Sequence, residues 1–455
     1  MKITNAGAGA GKTAKLADQI LNRFNQLSCP HTHIFVIAYS NYAISVITNR
    51  IKQKHGSIPD NIHLSTIHSF LWNYIIKPYY FLLFKQQFTE ISNQNIIDKP
   101  QYRAKKFYEM RNNGILHVQE FSRVSKKVLV KKAHDTKKVT KKRKHILYNL
   151  GQFIDSIFID ESQDMDMDSA SCISALDASG IECFLVGDEN QDLHSRGGFS
   201  FLIKKYFSQV CVDSENHRCP QTHVLLANRF SKVKQISTTG ELGNIKYILE
   251  TKCNVNQIVK EVGDSLVFIN KSTHSLRVHK KNRENIKQLE YVIRKLHCQS
   301  PGFQDISSTP SKKWAFDVTR KIVDEVRKKQ KSPSVITNNV INLMNLSYDK
   351  RKYAELIQSI KSISSHCKEN LNFPLNSIES VKGNQCNECI FFISTDLFAY
   401  LIGEKTKSNA TMNALYVGLT RSKNYLLLIF TKEVTEKYKV EFIEQKMRDL
   451  NIERF

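Results

Sequence analysis

Apolar positions along the chain fall into two kinds of run, and each predicts a different element. Short unbroken runs, Ile157-Phe158-Ile159 and Cys183-Phe184-Leu185-Val186, read as strands buried on both faces, as in a parallel sheet. A further short strand is expected from Lys2 to Asn5. Leu16, Ile20 and Phe24 then recur at helical spacing and form the stripe of an amphipathic helix. Helical patterns also run through Asn285 to His297 and Lys313 to Lys329. A polar stretch holding Pro301, Gly302, Ser307, Ser308 and Pro310 separates them. Near Lys126 to Lys132 the alternation suits a short strand or the edge of a helix. Strands alternating with helices predict an α/β fold with parallel sheets. No apolar run approaches the ~20 residues that span a bilayer. The best, Tyr79 to Phe84, is short and follows Lys77. Met1-Lys2-Ile3-Thr4-Asn5 lacks the apolar core of a signal peptide, so a cytoplasmic chain with no membrane partner is expected.

Composition sharpens this. The 455 residues allow about three folded units, and 41% hydrophobic with 24% charged residues disfavours wholesale disorder. The net charge of +24 is concentrated. Arg123 to Lys144 holds 11 basic residues against Asp135 alone, and Lys271 to Lys352 holds 19 basic against 7 acidic. Such segments either meet a polyanion or form a solvated lysine-rich face. The ten cysteines are scattered singly apart from Cys386 and Cys389, and no metal–sulfur site is expected from that lone pair.

The strongest local signal is Ala6-Gly7-Ala8-Gly9-Ala10-Gly11-Lys12-Thr13, a glycine-rich run between the first strand and the first helix that reads as a P-loop. Backbone N–H groups from Gly7 to Gly11 would curl around phosphate oxygens. Lys12 would reach the β- and γ-phosphates of ATP, and the Thr13 hydroxyl would ligate Mg2+. The strand ending in Asp160-Glu161 supplies the acidic partner: Asp160 to hold Mg2+ through water, Glu161 to orient and deprotonate the attacking water. After the next strand, Gly187-Asp188 leads to Gln191, expected near the γ-phosphate.

In this order the motifs resemble a superfamily 1A helicase of the UvrD/Rep/PcrA type, with gaps, from the first strand to about Phe430. Ile37 to Ala43 with Arg50-Ile51 resembles motif Ia, and Ser65-Thr66-Ile67-His68-Ser69-Phe70 motif Ib. Asp160 to Asp164 is similar to DEAQD, and Gly187-Asp188 with Gln191, Arg196 and Gly197 to motif III. Glu215-Asn216-His217-Arg218 resembles the NYR motif, Val381-Lys382-Gly383 motif V, and Leu415 to Arg421 motif VI. The resemblance implies two RecA-like P-loop motor domains, each with an inserted subdomain. It also implies Gly383 at the nucleotide, and Arg218 and Arg421 as arginine fingers that complete hydrolysis when the cleft closes. An ATP- and Mg2+-dependent translocase or helicase moving 3′ to 5′ on single-stranded or partly duplex DNA is expected.

The departures from the family are specific. Only six residues precede Gly7 in this sequence, so the adenine-reading Q motif is not expected. His217 stands where the family has a base-stacking tyrosine. Glu379 to Cys386 lacks the acidic ribose contact of motif V, and His194-Ser195-Arg196 lacks the aromatic of motif III. Base stacking on an aromatic is worth about 1–3 kcal/mol, and Tyr39, His68, Phe70 and Phe199 are the candidate substitutes.

By the same resemblance, motor domain 1A is expected at 1–74 and 147–213, and a basic 1B-like insertion at 75–146. Motor domain 2A follows at 214–273 and 372–455, with a reduced 2B-like insertion at 274–371. The compact plan is similar to the UvrD-like subunit of the Gabija anti-phage system, which implies an OLD-family nuclease as partner, since the sequence shows no nuclease constellation of its own. Two function classes stand: a DNA motor, and a nucleotide- and DNA-sensing ATPase subunit that regulates a partner nuclease.

Overall fold

A computed structural model describes residues 1–94, 96, 99–273, 276, 282–297, 309–328, 331–344, 346, 349–364 and 373–455. Pro301, Gly302, Ser307, Ser308, Lys329 and the expected boundaries at His274 and at Leu371-Asn372 lie outside the described residues. The fold is α/β with two parallel six-stranded sheets, as expected of paired RecA-like domains. The chain divides into two compact units. One comprises Met1–Cys253, Asp264–Leu266 and Val381–Phe455, the other Asn254–Gly263 and Val267–Ser380.

In the first unit, strands β1 (Lys2–Ala6), β2 (His33–Ala38) and β3 (Ile62–Thr66) precede a small parallel pair, β4 (Glu90–Ser92) and β5 (Ile115–His117). Then come β6 (Ile154–Ile159), β7 (Glu182–Gly187) and β8 (Val210–Asp213). The first sheet runs β3-β2-β6-β7-β1-β8, all parallel. Alternation in β2 explains why its residues are apolar without a break. Ile34, Val36 and Ala38 pack on one face with Leu16, Ala17 and Ile20 of the helix Lys12–Asn25, while Phe35 and Ile37 pack on the other. Covering both faces is what a parallel sheet requires.

The second face shares its core with the segment between β3 and β6. Ile75, Ile76, Tyr80, Phe88, Leu116, Phe121, Val124, Val128, Ile146 and Leu150 belong to the same buried cluster as Phe35 and Leu185. The alternating stretch Lys126 to Lys132 is resolved as the end of a helix, Phe121–Leu129, whose buried face carries Phe121, Val124, Val128 and Leu129. Two expectations are corrected here. Phe70 and Phe199 are fully buried in this core, so neither can stack on a nucleic-acid base. Arg143 is also buried: it pairs with Asp135 at 2.9 Å and donates to the carbonyls of Lys127 and Val128.

The rest of the first unit begins with a parallel pair, β9 (Glu215–Asn216) and β10 (Ile236–Ser237), followed by β11 (Asn244–Leu249). Next along the chain come β12 (Ser265–Ile269), split between the two units, and β13 (Asn376–Ser377) of the second unit, before β14 (Cys386–Ile393), β15 (Ser422–Phe430) and β16 (Glu453–Arg454) of the first. Within this unit β15 lies between β14 and β11, and β16 pairs with β11. The helix Ala410–Leu419 precedes β15 and is buried along almost its whole length.

The second unit contains the helices Asn282–His297, Thr309–Lys328, Pro333–Leu343 and Lys350–Ser364. Leu289, Val292, Ile293, Leu296, Ile322, Val340, Leu356 and Ile360 form its core. Both helical patterns read from the sequence fall on the first two of these helices. No described helix is long and apolar enough to cross a membrane.

Candidate nucleotide-binding site

Register gathers the chemistry at one edge of the first sheet. Asn5 of β1 lies beside Gly187 of β7, Ala6 beside Asp213 of β8, and Ile159 of β6 beside Leu185 of β7. The chain therefore leaves three neighbouring strand ends at Ala6, Asp160 and Asp188, where parallel sheets hold their ligands.

At the first end, Gly9 and Gly11 adopt φ of +75° and +71°, the left-handed region that glycine enters without penalty. A Cβ on Gly9 would also lie 2.5 Å from Asn216 Oδ1. Gly11 caps the helix Lys12–Asn25 without any side-chain bond, and the helix has no acidic residue in its first turn. Its leading N–H groups are thus offered to an anion. Lys12 Nζ donates to the carbonyls of Ala6 (3.2 Å) and Gly7 (3.0 Å). Thr13 Oγ1 donates to Asp160 Oδ2 at 3.3 Å. A hydroxyl and a carboxylate this close are the hard oxygen donors that Mg2+ takes, so the residues fit the ion.

At the second end, burial above all, and then the charge of Glu161, raise the Asp160 carboxyl to about 6, against the pull of Lys12 and of its hydrogen bonds. Burial works on Glu161 in the same sense, but Lys382, Lys12, a hydrogen bond from Gln163 and Arg421 outweigh it and hold this carboxyl below its usual range. Glu161 sits at φ +53°, a conformation that non-glycine residues avoid and that recurs where side chains are held for function. Lys382 reaches Asp164 in the same turn.

At the third end, Gln191 is buried and donates through Nε2 to Asp188 Oδ2 at 2.8 Å. Two guanidinium groups approach from the later part of the unit. Arg218 donates to Gln385 Oε1 (2.7 Å) and to the Thr420 carbonyl (3.3 Å). Arg421 is buried and donates to the carbonyls of Val417 (2.9 Å) and Asn384 (3.4 Å) and to Thr420 Oγ1 (3.3 Å). Burial first, and the neighbouring Arg218 second, lower Arg421 to about 10, which leaves it charged at neutral pH. His217 donates its backbone N–H to Gly9 O at 3.0 Å, and its ring Nδ1 lies 2.6 Å from Thr238 Oγ1.

The structure thus brings the loop Gly7–Thr13, Asp160, Glu161, Gln191, Arg218 and Arg421 into one network. Gly383, at φ +85°, enters only as the neighbour of Lys382. Two residues without an expected role stand in the middle. Tyr416 accepts from the Ala8 N–H at 3.0 Å, and Gln235 donates to the Ala8 carbonyl at 2.9 Å. Tyr416 lies inside the Leu415–Arg421 motif, so its position could have drawn notice. Gln235 stands in a polar stretch with no signal of its own.

Residues 3–148 match the family of the UvrD/REP helicase N-terminal domain. That match covers the P-loop and ends before Asp160. No curated protein is significantly similar. Among solved structures, the chain is similar to the Arterivirus nonstructural protein 10 helicase, with a TM-score of 0.38 and 9% identity over 96% of this chain and 62% of that one. A complex of nonstructural protein 10 with DNA gives 0.36 and 8% over 94% and 60%, and the PRRSV helicase 0.36 and 7% over 97% and 53%. The chain therefore spans less than two thirds of the length of these three proteins.

Proposed function

We propose that this protein is an ATP-dependent DNA translocase or helicase of the UvrD-like type. The single observation carrying this reading is the joining of the phosphate loop, Asp160-Glu161 and Gln191 at one sheet edge to Arg218 and Arg421. Thr13 and Asp160 would hold Mg2+, which neutralises charge on the phosphates when bound. Lys12 exchanges its backbone carbonyls for the β- and γ-phosphate oxygens. Glu161, kept ionised by Lys382 and Lys12, accepts the proton of the attacking water. The two arginines stabilise charge on the transferred phosphoryl group.

DNA as the second ligand is supported by the helix Lys137–Phe153. Lys137, Lys138, Lys141 and Lys144 are exposed on it with Tyr148, and none of the four lysines meets a carboxylate among the described residues. Exposed cations beside an aromatic suit a phosphate backbone with accessible bases. Movement from 3′ to 5′, a cytoplasmic setting, and work in anti-phage defence or DNA processing follow from the family resemblance and belong to the same proposal.

A second reading is a nucleotide- and DNA-sensing subunit that closes on its ligands and activates a partner nuclease of the OLD family. The sequence His194-Ser195-Arg196 favours it, because a serine and not an aromatic residue stands directly before Arg196 to step along bases. Steady-state ATP hydrolysis with and without single-stranded DNA, with Lys12→Ala as the blank, tests the proposal. Strong stimulation supports a motor, and unwinding of a tailed duplex then separates it from the sensor. Hydrolysis equal in wild type and Lys12→Ala would remove the site.

A further inference from the structure

A continuous chain of buried polar groups passes over the phosphate loop. Gln191 Nε2 donates to Asp188 Oδ2, and the Tyr416 hydroxyl lies 3.2 Å from that oxygen and 2.9 Å from Gln235 Oε1. Asn216 Nδ2 donates to the same Gln235 oxygen at 3.4 Å, while Asn216 Oδ1 accepts the backbone N–H groups of Arg218 (3.0 Å) and Cys219 (2.8 Å). Asp188, Tyr416, Gln235 and Asn216 are all at most 4% exposed. Ala8 is gripped in the middle, its N–H by Tyr416 and its carbonyl by Gln235. A Cβ on Gly7 would collide with the Gln235 amide, so the loop's small residues are what admit this side chain.

We propose that Tyr416 and Gln235 are positioning residues that hold Ala8 and thereby set Gln191 and Arg218 in a common register on the phosphate loop. The inference rests on the ATP-hydrolysing reading of the site. The hydroxyl has one proton to share between Asp188 and Gln235, so each alternative leaves the other acceptor to its remaining donors, Gln191 or Asn216. Movement of the loop on taking up a nucleotide therefore changes both ends of the chain together. Among groups this deeply buried the links are stiff, because a buried polar group that loses its partner is destabilised.

Tyr416→Phe removes one oxygen and keeps the ring, while Gln235→Met keeps the length and removes both amide atoms. Each is expected to lower kcat roughly 10- to 100-fold, as misplacement of reacting groups does, with KM for ATP within about threefold. The double variant should fall no further than about threefold below the worse single one. In nucleotide-free protein the Ala8 amide should exchange with solvent deuterium at least about tenfold faster in Tyr416→Phe than in wild type. Values of kcat within twofold of wild type, losses that multiply independently, or losses that track melting temperature alone would overturn the inference, as would unchanged exchange at Ala8. Wild-type turnover that Lys12→Ala abolishes tests the underlying reading separately. If that turnover is absent the reading fails, and the exchange rate still decides whether the hydroxyl holds the loop.

Discussion

Lys382 Nζ lies 2.7 Å from each carboxylate oxygen of Asp164, and the same ammonium is the foremost cation holding Glu161 below the usual carboxylate range. One side chain thus braces the turn after β6 and keeps Glu161, the proposed base, ionised. Glu161 can accept a proton only when ionised, and its depressed pKa carries activity to low pH. In Lys382→Ala the pKa of Glu161 rises, so hydrolysis should be lost at higher pH on the acid side. The measurement is kcat against pH for both proteins. A lowered kcat with an unmoved acid limb would confine Lys382 to bracing Asp164.

The basic segment divides into two classes with opposite expected phenotypes. Replacing Lys137, Lys138, Lys141 and Lys144 by Ala should weaken DNA binding and flatten its dependence on salt, with little change in melting temperature. Arg143→Ala removes the partner of Asp135 and strands the buried Val128 carbonyl and the half-buried Lys127 carbonyl, so it should cost roughly 2–4 kcal/mol of stability. Salt titrations of DNA affinity alongside denaturant melts separate the two. An unchanged salt slope in the lysine variant would return that face to simple solvation.

The same contrast shows how far the sequence alone reaches. The sheets were legible because burial on both faces demands unbroken apolar runs, as in Ile157 to Ile159. The glycine turn before Lys12 and the strand end at Asp160-Glu161 were legible as local structure, because each is marked by its immediate neighbours along the chain. Gln235 was not: its role arises from a contact with Ala8, 227 positions earlier. Arg143 falls within the basic segment counted as surface by residue type, whereas Asp135 and two carbonyls hold it in the interior. Phe70 and Phe199 were offered to DNA on aromatic character alone, yet the core claims both.

Acid should find a weak point at His223, in the short helix Gln221–Ala227. Burial lowers its imidazole to about 4, against a backbone contact at Asn244 that works the other way. The unfolded chain titrates near 6.5, so between these values it binds the proton that the folded state refuses. Stability is therefore unaffected by this group above about pH 6.5, and falls as pH drops toward 4 by about 3 kcal/mol. His223→Leu should remove that part of the slope. Urea midpoints between pH 4 and 7.5 give the comparison, and parallel slopes in the two proteins would show that His223 charges without strain.

Glu161 and Lys12 should separate binding from turnover. Glu161→Gln preserves size and the left-handed turn's demands as closely as any substitution, and keeps an oxygen for the Gln163 amide, but removes the proton acceptor. Nucleotide affinity should stay within about threefold while kcat falls about 100- to 10,000-fold, the usual contribution of a general base. Lys12→Ala should instead weaken nucleotide binding as well, because it removes the ammonium that rests on the loop's own Ala6 and Gly7 carbonyls and that the proposal hands to the phosphates. Titration with a fluorescent ATP analogue beside single-turnover hydrolysis reads both quantities in each variant. If Glu161→Gln turned over at the wild-type rate, the proton would have to leave by another group. Asp164 would then be the first to replace, since it is the next carboxylate in the turn and Lys382 already touches it.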